Sequence, residues 1–299
     1  MVTGTVLERD GAHYRVLTSE GERRAVLRKK VKREEFRVVV GDRVQLEPEA
    51  GGDLFGITAI EPRRAVLERR IPEGRGTRLV VANLDEVFVV TATADPPPLL
   101  QLLDRLLVLA EANEIAAAVV VNKIDIAPAA PLSARFRAAG YRVIETSVET
   151  GAGIAEFSGA LRGVTAVVTG PSGAGKSSLL NRVEPGLVLR TGEVSEKLRR
   201  GKNTTVGAVM IPLSQGGFLV DTPGFSEVGL WGIDPAELAS CFPEMRPFLG
   251  ACRFQDCRHR TEPGCAVRGA VASGAVAADR LGSYHVLLGE LEQAPRDWE

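Results

Sequence analysis

The order of two short motifs limits the folds open to this chain more than any other feature in it. Gly170-Pro-Ser-Gly-Ala-Gly-Lys176-Ser177 has the glycine spacing and the Gly-Lys-Ser ending of a loop that wraps phosphate groups. Asn122-Lys123-Ile124-Asp125 sets an amide, an amine and a carboxylate where a purine base can be read. In α/β domains that carry both motifs, the phosphate loop opens the domain and the tetrad comes later. Here the tetrad comes first. Both signals are specific, so the reversal implies a circularly permuted domain. Such a domain keeps its sheet but is left by the chain directly from the segment that senses the terminal phosphate.

The surrounding pattern fits a parallel sheet with helices on both faces. Apolar runs at 86–91, 117–121, 141–146, 164–169 and 218–220 read as strands. Leucines at helical spacing predict a helix over 97–113, and another follows the phosphate loop at 177–183. In such sheets ligands bind at the strand carboxyl ends, and every suspected motif falls at one.

Each motif has a chemical reading. Gly170, Gly173 and Gly175, with Pro171, Ser172 and Ala174 between them, let successive N–H groups turn inward around phosphate oxygens. The helix that starts near Lys176 adds its positive end. Lys176 is placed for the β- and γ-phosphates, and the Ser177 hydroxyl, next to Ser178, for Mg²⁺. Asp125 can accept from guanine N1–H and the 2-amino group together, and adenine offers neither. Lys123 can lie along the base, Ile124 completes the tetrad, and Asn122 can brace the phosphate loop. Ser147-Val148, at the next strand end, is where a backbone N–H would meet guanine O6. Asp221-Thr-Pro-Gly224 follows an apolar strand; Asp221 can hold Mg²⁺ through water and Gly224 can offer its N–H to the γ-phosphate. Between these motifs, Thr204 or Thr205 can reach Mg²⁺. Phe225 stands where many small GTPases have a water-positioning Gln, so slow unaided turnover is expected. A nucleoside-monophosphate kinase shares the phosphate loop, but it needs no guanine tetrad upstream.

Before the sheet, short strands at 2–8, 14–18, 23–27, 43–47 and 55–60 are separated by Gly-containing turns, as in a small closed barrel of the OB type. Arg23, Arg24, Arg28, Lys29, Lys30, Lys32, Arg33 and Arg37 face only Glu34 and Glu35. A charge run is commonly a solvated face; on such a barrel it also suits an RNA backbone. After residue 234 the pattern becomes irregular. Asp234-Pro235 predicts a helix start, and a helical tail is expected from about Ala275 to Gln293. Between them, Cys252, Cys257, His259 and Cys265 offer three thiolates and an imidazole, a set suited to one structural Zn²⁺. Cys241, His13 and His285 read as packing or surface residues.

Composition excludes several classes. With 44% hydrophobic and 25% charged residues, the 299-residue chain can build real cores. Net charge is −1, so a nucleic-acid partner must be met by a local patch. The charged N-terminus does not read as a secretory signal, and no run reaches the length of a membrane span. A cytoplasmic monomer with free or metal-bound thiols is expected.

Taken together the motifs resemble the ribosome-small-subunit-dependent GTPase A family (RsgA, also called YjeQ). The likeness extends to Ala82-Asn-Leu-Asp-Glu-Val, to Asp104-Arg-Leu-Leu, and to Cys257-Arg-His259 followed by Glu262-Pro-Gly-Cys265-Ala-Val. It implies an OB-fold RNA-binding domain at 1–65, a circularly permuted P-loop GTPase domain at 66–233 and a helical zinc-binding module at 234–299. It also implies binding to the small ribosomal subunit and its rRNA late in maturation, with subunit-stimulated GTP hydrolysis coupled to release. A nucleotide-regulated RNA-binding factor with negligible hydrolysis is the rival. Two departures bear on this. The family's usual His before the threonine pair is Asn203 here, which can position water but not serve as an acid or base. The long basic N-terminal extension of some members is missing, which leaves more of the rRNA contact to the 23–37 patch.

Overall fold

The computed structural model describes residues 2–28, 37–49, 53–70, 77–185, 187, 208–221, 230 and 233–293. The N-terminal strands β1 (Val2–Asp10), β2 (His13–Thr18), β3 (Gly21–Leu27), β4 (Arg43–Pro48) and β5 (Leu54–Ile60) close into a barrel in the order β1-β2-β3-β5-β4. Only β3 and β5 run parallel, and β4 closes the ring against β1. Alternate residues point inward, so Tyr14 and Val16 of β2 meet Val6, Ala25, Val44, Leu46 and Ile57 in one apolar centre. The barrel expected from the sequence is therefore present.

A hairpin follows that the sequence reading missed: β6 (Val66–Arg70) and β7 (Thr77–Ala82). The charges of Glu68-Arg69-Arg70 hide its apolar alternation. It ties the barrel to the rest through a parallel bridge between Val40 and Val81. Beside that bridge the buried Asp42 carboxylate accepts from Val39 N–H at 2.8 Å and from Arg63 Nε at 2.7 Å.

The central sheet holds β8 (Glu86–Ala92), β9 (Ala116–Asn122), β10 (Arg142–Glu145), β11 (Thr165–Thr169), β12 (Val209–Pro212) and β13 (Phe218–Asp221), in the order β10-β9-β8-β11-β13-β12. All neighbours run parallel except β12 against β13. The first three strands in the chain fill one half of the sheet, and β11 then enters beside β8. This is the permutation that the motif order implied.

Period-two alternation sends Val87 and Val89 of β8 to one face, with α1 (Leu100–Ala112) and α2 (Ala130–Ala138). Phe88 and Val90 go to the other face, with α3 (Ile154–Leu161) and α4 (Lys176–Val183). Helix α1 is apolar on more than one side because it is covered twice. Leu103, Leu106 and Leu107 meet the sheet, while Val108 and Leu109 join the core of the C-terminal module.

That module contains two 3-10 turns, Leu238–Cys241 and Pro243–Phe248, then α5 (Ala266–Ala272) and α6 (Ala278–Gln293). The helix expected at Asp234-Pro235 is not an α-helix. The Asp234 carboxylate caps Ala236 N–H at 2.7 Å in a tight turn. Pro243 and Pro247 then remove backbone donors that an α-helical ladder would need. Among the described residues no helix is long and apolar enough to cross a membrane.

Candidate nucleotide site and metal centre

The carboxyl ends of β8, β9, β10, β11 and β13 gather the predicted nucleotide residues. Strand β11 ends at Thr169, and the chain passes so close to β8 that a side chain at Gly170 would lie 2.1 Å from the Val90 carbonyl oxygen. At the other end of the loop Gly175 has φ +91°, and a Cβ there would fall 2.3 Å from Asn122 Nδ2. The missing side chain is the space that Asn122 fills. Buried Asn122 donates from Nδ2 to the Ala174 carbonyl at 2.9 Å and accepts from Thr146 Oγ1 at 3.1 Å. The end of β9 is thus bonded to the phosphate loop itself.

Lys123 takes a left-handed conformation at φ 63°. Its carbonyl accepts from Thr93 Oγ1 at 2.6 Å, and its ammonium donates to the Asp95 carbonyl. Asp125 is exposed, with Ser147 Oγ donating to one carboxylate oxygen. Ser147 is buried at the end of β10 and also accepts from Thr150 N–H at 3.1 Å, while Val148 packs against the α3 side of the sheet. Ile124 packs on the α1–α2 side.

Lys176 donates to the Gly170 and Pro171 carbonyls at 2.8 Å each, and burial pushes its amine below the ordinary lysine range. Ser177 is half-buried in the first turn of α4, Ser172 and Ser178 are exposed, and Asp221 ends β13 beside β11. Asn203, Thr204, Thr205, Gly224 and Phe225 lie outside the described residues. The sequence reading missed the wall formed by Thr93, Asp95 and Pro96. A Cβ on Gly173 would lie 3.1 Å from Pro96 Cδ, so this loop rests against the phosphate loop. The proline run at 96–98 was its only signal.

In the C-terminal module the four predicted ligands converge. Their ligand atoms lie within 4.8 Å of one another. His259 Nδ1 is 3.4 Å from Cys265 Sγ and 3.6 Å from Cys252 Sγ. Backbone N–H groups of Ala266 and Arg268 donate to the Cys252 and Cys265 sulfurs, at 3.3 and 3.4 Å. This donor set can hold a metal ion. The loop is fixed by Glu262, whose carboxylate accepts from Arg258 and Arg260 N–H at 2.7 Å and Thr261 N–H at 2.9 Å. Partial desolvation works against the Glu262 charge, but the backbone bonds outweigh it and hold the carboxyl below its ordinary range. His285, read from the sequence as a packing or surface residue, donates from Nε2 to the His259 carbonyl at 2.9 Å.

The profile of the RsgA GTPase family matches residues 60–231. A relative from Gemmatimonas aurantiaca, named small ribosomal subunit biogenesis GTPase RsgA, is 49% identical, with 97% of each chain covered. This chain belongs to the RsgA GTPase family. A relative of the same name from Moorella thermoacetica is 43% identical over 96% of this chain and 97% of its own. The crystal structure of YjeQ from Thermotoga maritima matches with a TM-score of 0.81 and 32% identity, over 98% and 99% of the two chains. That of YloQ, described as a circularly permuted GTPase, gives 0.77 at 25% identity, over 99% and 97%. The family likeness stated on motif grounds is borne out. The chain is a circularly permuted GTPase with an N-terminal barrel.

On the barrel of this RsgA-family chain the basic patch is partly neutralised. Arg28 is held by Glu47 and Glu49, and Arg23 by Glu20 at 3.2 Å, while Arg24 is exposed. The Arg37 carbonyl accepts from Arg63 at 2.8 Å. Lys29, Lys30, Lys32 and Arg33 lie outside the described residues.

Proposed function

We propose that this GTPase binds the small ribosomal subunit, assists its late maturation, and couples subunit-stimulated hydrolysis of GTP to its own release. The observation that carries the nucleotide half is the Asn122–Ala174 bond, which joins a guanine-type tetrad to a phosphate loop. The subunit half rests on the relatives of 49% and 43% identity, small ribosomal subunit biogenesis GTPases that match over nearly their whole length. The rival with negligible hydrolysis is disfavoured by membership in a family of GTPases.

In this reading Asp125 accepts from the guanine edge, Lys123 lies along the base, and the Ser147-Val148 backbone meets O6. Adenine offers the Asp125 carboxylate neither of these donors and is therefore rejected. Gly170 to Gly175 present N–H groups to the phosphates, and Lys176 leaves its loop carbonyls for the β- and γ-oxygens. Its partial burial makes that exchange favourable only when anionic charge arrives. Ser177 and Asp221, the latter through water, with Thr204 or Thr205, would hold Mg²⁺, which neutralises charge developing on the transferred phosphoryl group. Gly224 offers an N–H to the γ-phosphate and Asn203 positions water.

Cys252, Cys257, His259 and Cys265 would hold one structural Zn²⁺, since four protein ligands leave no open position for chemistry. The functional division is an RNA-binding barrel at 1–65, the GTPase domain at 66–233 and the zinc module at 234–299. Arg24, Arg28 and Arg37 with Arg23, Lys29, Lys30, Lys32 and Arg33 form the rRNA-facing patch. The protein works as a cytoplasmic monomer. Single-turnover GTP hydrolysis with and without purified small subunits tests the proposal. Stimulation by subunits is expected, and equal rates would contradict it.

A further inference from the structure

Between the tetrad and the C-terminal module lies a set of buried charges that the chemistry above does not use. Asp104 on α1 and Arg280 on α6 are both fully buried side chains. Arg135 on α2 grips Asp104 with two parallel bonds of 2.9 and 2.7 Å. Arg280 reaches the same carboxylate at 2.7 Å and turns its other edge to buried Glu244. Its guanidinium also lies 4.7 Å from the centre of the Phe242 ring.

Taking such charges out of water costs about as much as their pairing returns, so apolar packing of equal volume would hold these elements at least as well. What the charges add is register, because an Arg fork meets a carboxylate in one orientation. The element so registered is α2, which the chain enters four residues after the tetrad, through 126–129. Ile124 of the tetrad packs on the same apolar cluster as Leu132 and Phe136 of α2 and Leu103 of α1. The frame that carries Asp125 is therefore set by where α2 lies.

We propose that Arg280 is a positioning residue for guanine recognition: through Asp104 and Arg135, the C-terminal module holds α2 and the tetrad in their reading position. The inference rests on the assignment of Asp125 to the base. By linkage, a guanine nucleotide in turn tightens the module on the GTPase domain.

The test compares GDP with IDP, which lacks the 2-amino donor. Affinities are measured for the wild type, Arg280→Met, Arg280→Lys and, as a comparison at the more exposed part of the same α1–α6 seam, Arg105→Ala, which removes the ion pair with Glu290. Metal content of each variant reports whether the module is folded. The GDP preference should fall by about tenfold in R280M, recover in part in R280K and persist in R105A. A purely structural role would weaken both nucleotides alike, so an unchanged GDP/IDP ratio in folded R280M overturns the proposal. A wild type without GDP preference overturns the Asp125 assignment, and this inference with it. Should R280M not fold, hydrogen exchange in the wild type decides. GDP should slow exchange in Pro243–Phe248 and α6, and protection confined to the tetrad and phosphate loops would overturn the inference.

Discussion

The barrel fills its centre from its own five strands and the adjoining Val38, whereas the C-terminal module completes its core with Val108 and Leu109 of the GTPase domain. The barrel satisfies its backbone through strand pairing around a closed ring. The module has two 3-10 turns, one short helix and one long one, and few regular bonds between them. Its replacements are side-chain devices: a four-ligand cluster, a carboxylate that caps three N–H groups, and a buried ion network. The difference shows how a small segment of irregular backbone can be ordered. A barrel of this size needs only its pattern, but the module leans on a neighbour and on a cluster that can hold a metal ion.

The largest effect should follow metal removal. Chelation, or Cys257→Ser, should unfold the module, because the binding free energy of a structural site is of order 10 kcal/mol and is spent on folding it. Hydrogen exchange should show the barrel amides still protected. A metal-free module that stays folded would break the comparison.

Next is Asp104→Ala, which leaves Arg280 buried without its central partner and should cost about 3–5 kcal/mol in denaturant unfolding. The pH dependence has a definite sign. Burial opposes the Asp104 charge, but bonds and charge from Arg135 and Arg280 outweigh it, so its folded pKa is lowered. Its stabilisation is complete above the ordinary carboxylate range and is lost as pH falls through the lowered value. The gap between wild type and D104A should thus stay constant above about pH 5 and shrink only below about pH 4. A gap that narrows near neutrality would contradict the network.

A smaller effect is expected in the barrel. Ile57→Val should cost about 1 kcal/mol, confined to barrel exchange, with GDP affinity unchanged. Loss of GDP binding in this variant would mean that a change at the barrel's centre reaches the GTPase domain, whose core it touches through Leu7 and Val40.

Much of the nucleotide site was legible because its chemistry is carried by backbone turns and short contiguous motifs. Gly175 and Asn122 could be assigned from type and spacing, and the structure puts one in the gap left by the other. The Cys252, Cys257, His259 and Cys265 cluster was legible for a similar reason, its donors lying in one loop. Residues whose partners are remote in sequence were not legible. Arg280 and Asp104 meet across most of the chain, and nothing local in either marks the contact. Thr93 and Asp95 act through backbone and hydroxyl contacts to Lys123 that only the fold creates. The β6–β7 hairpin was masked by its own charges, and Asp234-Pro235 signalled a turn that two later prolines keep from becoming a helix.

In our proposal a guanine-reading tetrad, displaced upstream by permutation, still serves the phosphate loop it is bonded to. Subunit-stimulated hydrolysis of GTP and XTP by wild type and Asp125→Asn tests it most directly. The 2-oxo group of xanthine accepts where guanine donates, so D125N should lose GTP turnover by about a hundredfold or more and gain XTP turnover. GTP hydrolysis unchanged in D125N, with no gain for XTP, would contradict the account.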